Sequence, residues 1–347
     1  MQSIEAKREK TFQVDKVANR FLMIMLLCVL WMGCRREEEM AGAERSLTLD
    51  SLSFLETDMP RGVYCNKLLF TNDSTGFVVG NNGYLSKTTN GGKHWESLDS
   101  HTSTASLLDI TFINETTGFI IGYDSERARG ILLETQDGGQ TWTVKKEGSD
   151  FEPQSINFPS SSVGYLLNGA TSILKTQDGG NSWQSMLLPE NTLATGVFFK
   201  TNQEGIVTAL NGTYYVTNDG GNTWNNKQTS ITDHLYQVYY VGSKTILQAD
   251  SRLVEIVNGD SYKIREIHYA RPICFLNEKQ AIGIGLNYES TDAYSLGHIM
   301  VTNDGWASYV RRTYSNAISF KGIARMNEDK VMIIGYGSST IVAILAL

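Results

Sequence analysis

Short apolar runs framed by glycine recur along the chain as Gly76-Phe-Val-Val-Gly80, Gly118-Phe-Ile-Ile-Gly122 and Gly164-Tyr-Leu-Leu167. Six residues before each run opens stands an aromatic: Phe70 before Gly76, Phe112 before Gly118, Phe158 before Gly164, Phe199 before Gly205 and Phe275 before Ala281, with Tyr239 before Thr245 as the weakest copy. A second apolar stretch follows, such as Gly130-Ile-Leu-Leu-Glu134 or Ser172-Ile-Leu-Lys175, and then a polar turn. Apolar runs this short between turn signals read as strands. The aromatic ends a first strand a, the glycine-framed run is strand b, and the second stretch is strand c.

The polar turn after strand c is itself a repeat. It reads Thr135-Gln-Asp-Gly-Gly-Gln-Thr-Trp142, Thr176-Gln-Asp-Gly-Gly-Asn-Ser-Trp183 and Thr217-Asn-Asp-Gly-Gly-Asn-Thr-Trp224, with looser copies at Thr88-Thr-Asn-Gly-Gly-Lys-His-Trp95 and Thr302-Asn-Asp-Gly-Trp-Ala-Ser-Tyr309 and a worn one at Val257-Asn-Gly-Asp-Ser-Tyr262. Two glycines supply the positive φ angles of a tight turn, and the acidic or amide side chain before them bonds to backbone groups of that turn. The motif is a hairpin tip, and a strand d carrying the tryptophan leaves it. With Asn90, Asp137, Asp178, Asp219, Asn258 and Asp304 as equivalents, the steps are 47, 41, 41, 39 and 46 residues. A period near ~40–50 residues with four strands per unit predicts an all-β propeller.

The Thr-x-Asp-Gly-Gly-x-Thr-Trp units resemble Asp-box (BNR) repeats. Together with the glycine-framed runs, over roughly residues 60–347, they are similar to the photosystem II stability/assembly factor-like group of seven-bladed propellers. That resemblance implies seven four-stranded blades and a binding or assembly-assisting role. The same box also occurs in sialidases, xyloglucanases and sortilin-type receptors, so it marks a fold more than an activity. One box per blade is the signature of a fold device rather than of an active site, which is a single place. The structural set is therefore Asn90, Trp95, Asp137, Trp142, Asp178, Trp183, Asp219, Trp224 and Asp304, with the tryptophans as large fillers between blades, each with one donor to satisfy.

The two ends of the chain complete the domain plan: residues 1–33 as a signal peptide, 34–46 as a charged tether and 47–347 as the propeller. Five basic residues precede a nearly unbroken apolar stretch from Phe21 to Met32, followed by Gly33-Cys34. Twelve apolar residues are too few for an ordinary membrane span of about 20 but suit the core of an export signal. A small residue before Cys34 resembles a bacterial lipoprotein signal, which implies lipidation of Cys34 and a place in the cell envelope, on the outer membrane's periplasmic or surface face; an uncleaved signal anchor is the other reading. Arg35-Arg-Glu-Glu-Glu39 then reads as a solvated tether. Apolar residues alternate over 47–56 and slip once by one place, as in a bulged strand. At the far end, Lys330–Gly335 and Thr340–Leu347 give only strands b and c of a last blade. A ring ending there exposes a long apolar edge. Residues 47–56 are expected to supply its outer strand and close the first blade on the last.

Charge narrows the partners. The chain carries a net −7, and without residues 1–33 it has 25 Lys and Arg against 34 Asp and Glu, or −9. An acidic exterior argues against nucleic acid, whose binders cluster Lys and Arg. Cys65 and Cys274 fall at non-equivalent places in the first and sixth blades, which points to two free buried thiols because a bridge needs Cα atoms within about 7 Å. No CxxC, zinc-spaced Cys/His set, nucleophile elbow or phosphate loop is present, and no metal or cofactor is expected.

Candidate binding residues lie on the face opposite the boxes, in the turns leading into strand a and joining b to c. Two b–c links are long, Gly122-Tyr-Asp-Ser-Glu-Arg-Ala-Arg-Gly130 and Leu286-Asn-Tyr-Glu-Ser-Thr-Asp-Ala-Tyr-Ser-Leu-Gly297, and long polar loops on a rigid scaffold are where function is placed. They offer Tyr123, Asp124, Glu126, Arg127, Arg129, Tyr288, Glu289, Asp292 and Tyr294. The turns into strand a add His268, Tyr269 and Arg271, with Tyr64, Gln154 and His234 beside them. Arg271 is expected to face the channel and either bind a carboxylate or sugar, or pair internally with an acidic neighbour. Solvated loops are the competing reading for the whole set. No catalytic residue is assigned. The expected activity is binding of an envelope protein or glycan by a lipid-anchored monomer. The alternative is a carbohydrate-active hydrolase of sialidase-like or xyloglucanase-like type, which needs two carboxyls ~5 to ~9.5 Å apart, drawn from Asp124, Glu126, Glu289 and Asp292.

Overall fold

The computed structural model describes residues 46–55, 57–60, 64–257, 259, 261–268, 270–287, 296–314, 319–336 and 340–347. The signal, Cys34 and nearly all of the tether lie outside these residues, as do Tyr269, Tyr288, Glu289, Asp292 and Tyr294. Residues 47–347 form one compact unit. It is a seven-bladed β-propeller in which every blade is a four-stranded antiparallel sheet. The innermost strands a are Cys65–Phe70, Ser106–Phe112, Pro153–Asn157, Ala194–Phe199, Gln237–Val241, Ala270–Phe275 and Ser319–Asn327 in blades 1 to 7.

The spacing of six between aromatic and glycine has a direct cause. The a–b hairpin pairs Phe70 with Gly76, Phe112 with Gly118 and Phe199 with Gly205. A Cβ on Gly164 would lie 2.4 Å from the Phe158 ring, and one on Gly205 2.6 Å from Phe199. Glycine is what lets the aromatic lie down across the hairpin. Strands b are buried on both faces, Gly76–Gly80 throughout, because each blade is covered by a neighbour on either side. The cores therefore lie between blades, as where Phe77, Val79 and Leu85 of blade 1 meet Leu107, Ile110, Ile120 and Trp142 of blade 2.

Each junction in the regular part of the ring has the same three rings. Phe77 stacks on Phe112 at 4.9 Å, and Trp142 stands edge-on to both at 6.4 and 6.0 Å. Phe119, Phe158 and Trp183 repeat this one blade on, and Tyr165, Phe199 and Trp224 repeat it again. Edge-to-face geometry aims the positive ring edge at the negative face. The tryptophans sit just before strand d rather than on it, at Trp142 before Thr143–Gly148 for example. Trp142 is fully buried, whereas Trp183 and Trp224 are half-buried. Only Trp95 fulfils the expected indole hydrogen bond among those resolved, donating Nε1 to Gly92 O at 2.9 Å; Trp142 and Trp183 Nε1 find no acceptor among the described residues.

The boxes are closed by their own acids. Thr135 Oγ1 donates to Asp137 Oδ1 at 2.8 Å and accepts from Gly139 N at 2.9 Å, while Asp137 Oδ2 accepts from Thr141 Oγ1 at 2.6 Å. Asp178, Asp219 and Asp304 repeat the arrangement. Gly138 and Gly139 have φ of 72° and 74°, and a Cβ on Gly139 would strike the Phe77 ring at 2.5 Å.

Ring closure follows the expected pairing with a different local shape. Residues 47–56 are not a bulged strand: Leu49–Ser51 form a 3-10 turn, and Leu52–Leu55 alone pair with Val342–Leu345 as the outer strand of blade 7. The slip in the apolar alternation is this turn, which buries Leu47 and Leu49 ahead of the strand. The sixth blade grips the incoming chain. Asn303 Oδ1 accepts from Leu47 N at 2.7 Å, Asn303 Nδ2 donates to Leu47 O at 3.0 Å, and Arg312 Nη1 donates to Leu49 O at 2.9 Å. Cys65 is buried and Cys274 half-buried, and both are free thiols.

Candidate functional site

Among the described residues, six of the seven innermost strands carry a register break near their first residues, between Cys65 and Lys67, Leu107 and Asp109, Pro153 and Ser155, Ala194 and Gly196, Ala270 and Ile273, and Phe320 and Gly322. A β-bulge leaves one residue unpaired and re-aims its side chain. The extra residues are Asn66, Leu108, Gln154, Thr195, Arg271 with Pro272, and Lys321. All of them line an axial cavity of about 580 Å³. The bulges set one ring of side chains around the channel at the end where strands a begin. Blade 5 has no bulge and contributes Tyr236 and Gln237.

Arg271 faces this channel as expected, although the bulge between Ala270 and Ile273, and not regular alternation, sets it there. Its guanidinium lies 4.6 Å from the centre of the Tyr236 ring, and Nη2 is 3.2 Å from Asp250 Oδ1. Of the two expected roles the structure shows the pairing with an acid, and two-fifths of the side chain remains exposed. Tyr236 and Asp250 escaped the sequence reading. Their signal was positional, since Tyr236 stands in the turn into strand a of blade 5 and Asp250 in its b–c link, the two kinds of turn that drew attention to other residues. Nearby, Tyr239 Oη donates to Gln248 Oε1 at 2.6 Å, and Gln248 Nε2 donates to Ala270 O at 2.7 Å, fixing the wall under Arg271. Lys67 and Asp109 pair across blades 1 and 2 at 3.3 Å.

The first long link is not a loop. Gly118–Asp124 and Arg129–Thr135 extend as one hairpin, so only four residues turn at its tip. Asp124 is buried, with Oδ2 accepting from Thr104 Oγ1 at 2.7 Å and Arg127 Nη1 at 2.8 Å, and Oδ1 accepting from the amides of Glu126 and Arg127. Burial opposes these bonds, and together they hold its carboxyl down at about 2. Both oxygens are occupied within the hairpin. Arg129 pairs with Glu147 of strand d at 2.9 Å, whereas Tyr123 is half-buried and Glu126 exposed at the tip. His268 packs its ring 5.8 Å from Tyr309 and does not line the channel. Gln154 does, and Tyr64 is exposed before strand a of blade 1. Among the described residues no three His, Cys, Asp or Glu side chains converge on a metal-sized site.

Residues 97–195, which hold blades 2 and 3, match the family described as Photosynthesis system II assembly factor YCF48. The chain is 37% identical over 67 residues to the Photosystem II assembly protein Ycf48 of Thermosynechococcus vestitus, 18% of either chain. It is 31% identical over 129 residues to the Photosystem II assembly lipoprotein Ycf48 of a Synechococcus species, 36% of this chain and 35% of the other. These matches span about a third or less of the relatives' own lengths. In three dimensions it superposes on YCF48 bound to D1 peptide with a TM-score of 0.67 at 16% identity, covering 87% of this chain and 99% of that one. It also superposes on the GH74 xyloglucanase of Xanthomonas campestris with a TM-score of 0.62 at 10% identity, covering 84% of this chain and 53% of the enzyme.

Proposed function

We propose that this propeller, which resembles photosystem II assembly factors, is a non-catalytic module that holds a segment of a partner protein against its channel mouth and assists the assembly of a larger complex. The observation that carries this reading is the Arg271–Tyr236–Asp250 set: a guanidinium stacked on an aromatic, tethered on one side and half-exposed, on strand ends held rigid by two neighbouring blades. Such pre-ordered arginine and tyrosine pairs lose little freedom on binding and are what protein interfaces enrich. The peptide seen on a similar propeller supports a protein guest over a glycan. The lipid anchor on Cys34 and the envelope address belong to this proposal, and a relative described as an assembly lipoprotein supports them. Hydrolysis is the weaker reading, because Asp124 spends both oxygens inside its own hairpin and is not among the residues that line the channel.

The experiment is capture of partners from native membranes by the full chain, compared with Arg271→Ala and Tyr236→Ala. One specific protein should be lost with both variants while the melting temperature holds. An unchanged set of partners would move the interface elsewhere on the propeller, and release of reducing sugar from a glycan would overturn the reading outright.

A further inference from the structure

The channel behind the mouth has a charge that the rest of the protein does not. Its charged lining is Lys67, Arg271 and Lys321 against Asp109, three cations to one carboxylate, inside a chain whose net charge is −7. Lys67 and Asp109 already hold each other, and Asp250 at the rim shares Arg271. Lys321 is half-buried and has no hydrogen bond or ion pair among the described residues. Packing keeps it in the channel: the next residue, Gly322, is pressed into the wall, where a Cβ would meet Cys65 Sγ at 2.8 Å and Leu68 Cβ at 3.2 Å. The bulge between Phe320 and Gly322 then leaves Lys321 on the axial side.

Around the rest of the ring the wall changes character. Asn66 lies on the strand beside that of Lys321, with its Nδ2 donating to Leu107 O and Asn81 Oδ1, while Gln154 presents an amide with no partner among the described residues. Leu108, Ile110, Phe198 and Tyr239 supply apolar surface. Two cationic points on separate blades, amides at the same level and an apolar wall describe a ligand with two separated anionic groups on a short carbon spine. A single compact anion leaves most of 580 Å³ unfilled. Low-dielectric walls of one sign concentrate a counter-charged ligand, and each carboxylate brings charge-assisted hydrogen bonds to the lysine or guanidinium.

We propose that the axial channel binds a small organic dicarboxylate between Lys321 and Arg271, a site that shares Arg271 with the protein-binding mouth proposed above but takes a different ligand. Calorimetric titration of the full chain at low ionic strength tests it, with succinate and inorganic phosphate as separate probes. Succinate should bind at one site, Lys321→Met should weaken it by about tenfold or more, and raised salt should weaken it further. Lys263→Met, on the outer strand of blade 5, should leave it unchanged. Absence of succinate binding, equal weakening by both variants, or binding of phosphate in preference to succinate would each overturn the assignment. Partner capture by the natural chain is read separately: its persistence where that chain binds no succinate sinks this site and leaves the mouth reading standing.

Discussion

Blades 2, 3 and 4 and the stretch from blade 5 through blade 7 to blade 1 are built on one repeat but treat it differently. In blades 2 to 4 every box has its own aspartate, both glycines and its tryptophan, and the tryptophan stands edge-on to the strand a aromatic at 6.0, 5.9 and 6.1 Å. On the other side each part has been exchanged. The first box has Asn90 in place of the acid, and Asp58, from the segment leading into blade 1, supplies the carboxylate: Oδ1 accepts from Trp95 N at 2.9 Å and Oδ2 meets His94 Nδ1. The sixth box replaces the second glycine with Trp306, held at a φ of 67° and packed over Gly283. The widest bulge, Arg271 and the unpaired Lys321 all fall in this half. The regular half shows what the scaffold requires, and the irregular half shows where the chain departs from it, at ring closure and at the channel.

That contrast can be broken or sharpened by four measurements. The largest effect belongs to the regular half: Trp142→Ala removes a fully buried indole from a junction with no room to collapse and should cost ~3–5 kcal/mol in denaturant unfolding. Trp306→Gly should cost less, roughly 1–3 kcal/mol, because the lost packing is offset by relief of a left-handed backbone at a non-glycine residue. A loss equal to that of Trp142→Ala would show that the φ of 67° carries no strain.

Smaller again is the exchange at the first box. Asp58→Asn should lower the melting temperature of the natural chain but not of Asn90→Asp/His94→Thr, in which the box regains its own acid and hydroxyl. Equal shifts in the two backgrounds would mean that Asp58 does not stand in for the missing carboxylate. The smallest effect is acid sensitivity. The Ser182 hydroxyl leads in holding Asp178 at about 2, and the Thr223 hydroxyl does so for Asp219. Folded values below the ordinary aspartate value of about 3.9 mean stability that is present above it and lost as pH falls toward 2. Tryptophan fluorescence followed from pH 5 to pH 2 should show earlier unfolding of the natural chain than at neutral pH, with the slope reduced in Asp178→Asn/Asp219→Asn.

The blades were legible because their signals are local. A glycine pair after an acid, or an aromatic six residues from a glycine, is settled within one hairpin, and its register follows from the turn. Closure by residues 47–56 was legible too, from the unpaired edge it must cover, although the slip at Leu49–Ser51 was a 3-10 turn rather than a bulge. The site was legible only at Arg271 and Gln154. Extra length at 122–130 looked like a loop, yet the hairpin simply continues, since Asp124 caps its own turn. Asn66, Gln154 and Lys321 share a ring only because each innermost strand bulges at the same level, and a one-residue register shift against strand b leaves no mark in the spacing of the boxes.

By itself the order of residues determined the repeat, the strands of each unit and the need to close the wheel, since all three rest on turn chemistry and apolar period within about forty residues. The tertiary structure alone decided which side chains meet at the axis, that Asp58 completes a box 32 residues further on, and that Lys321 stands without a partner among the described residues in a channel of opposite sign to the whole chain. Those facts depend on bulges and on contacts between blades, where positions far apart in sequence are brought together only when the ring is shut.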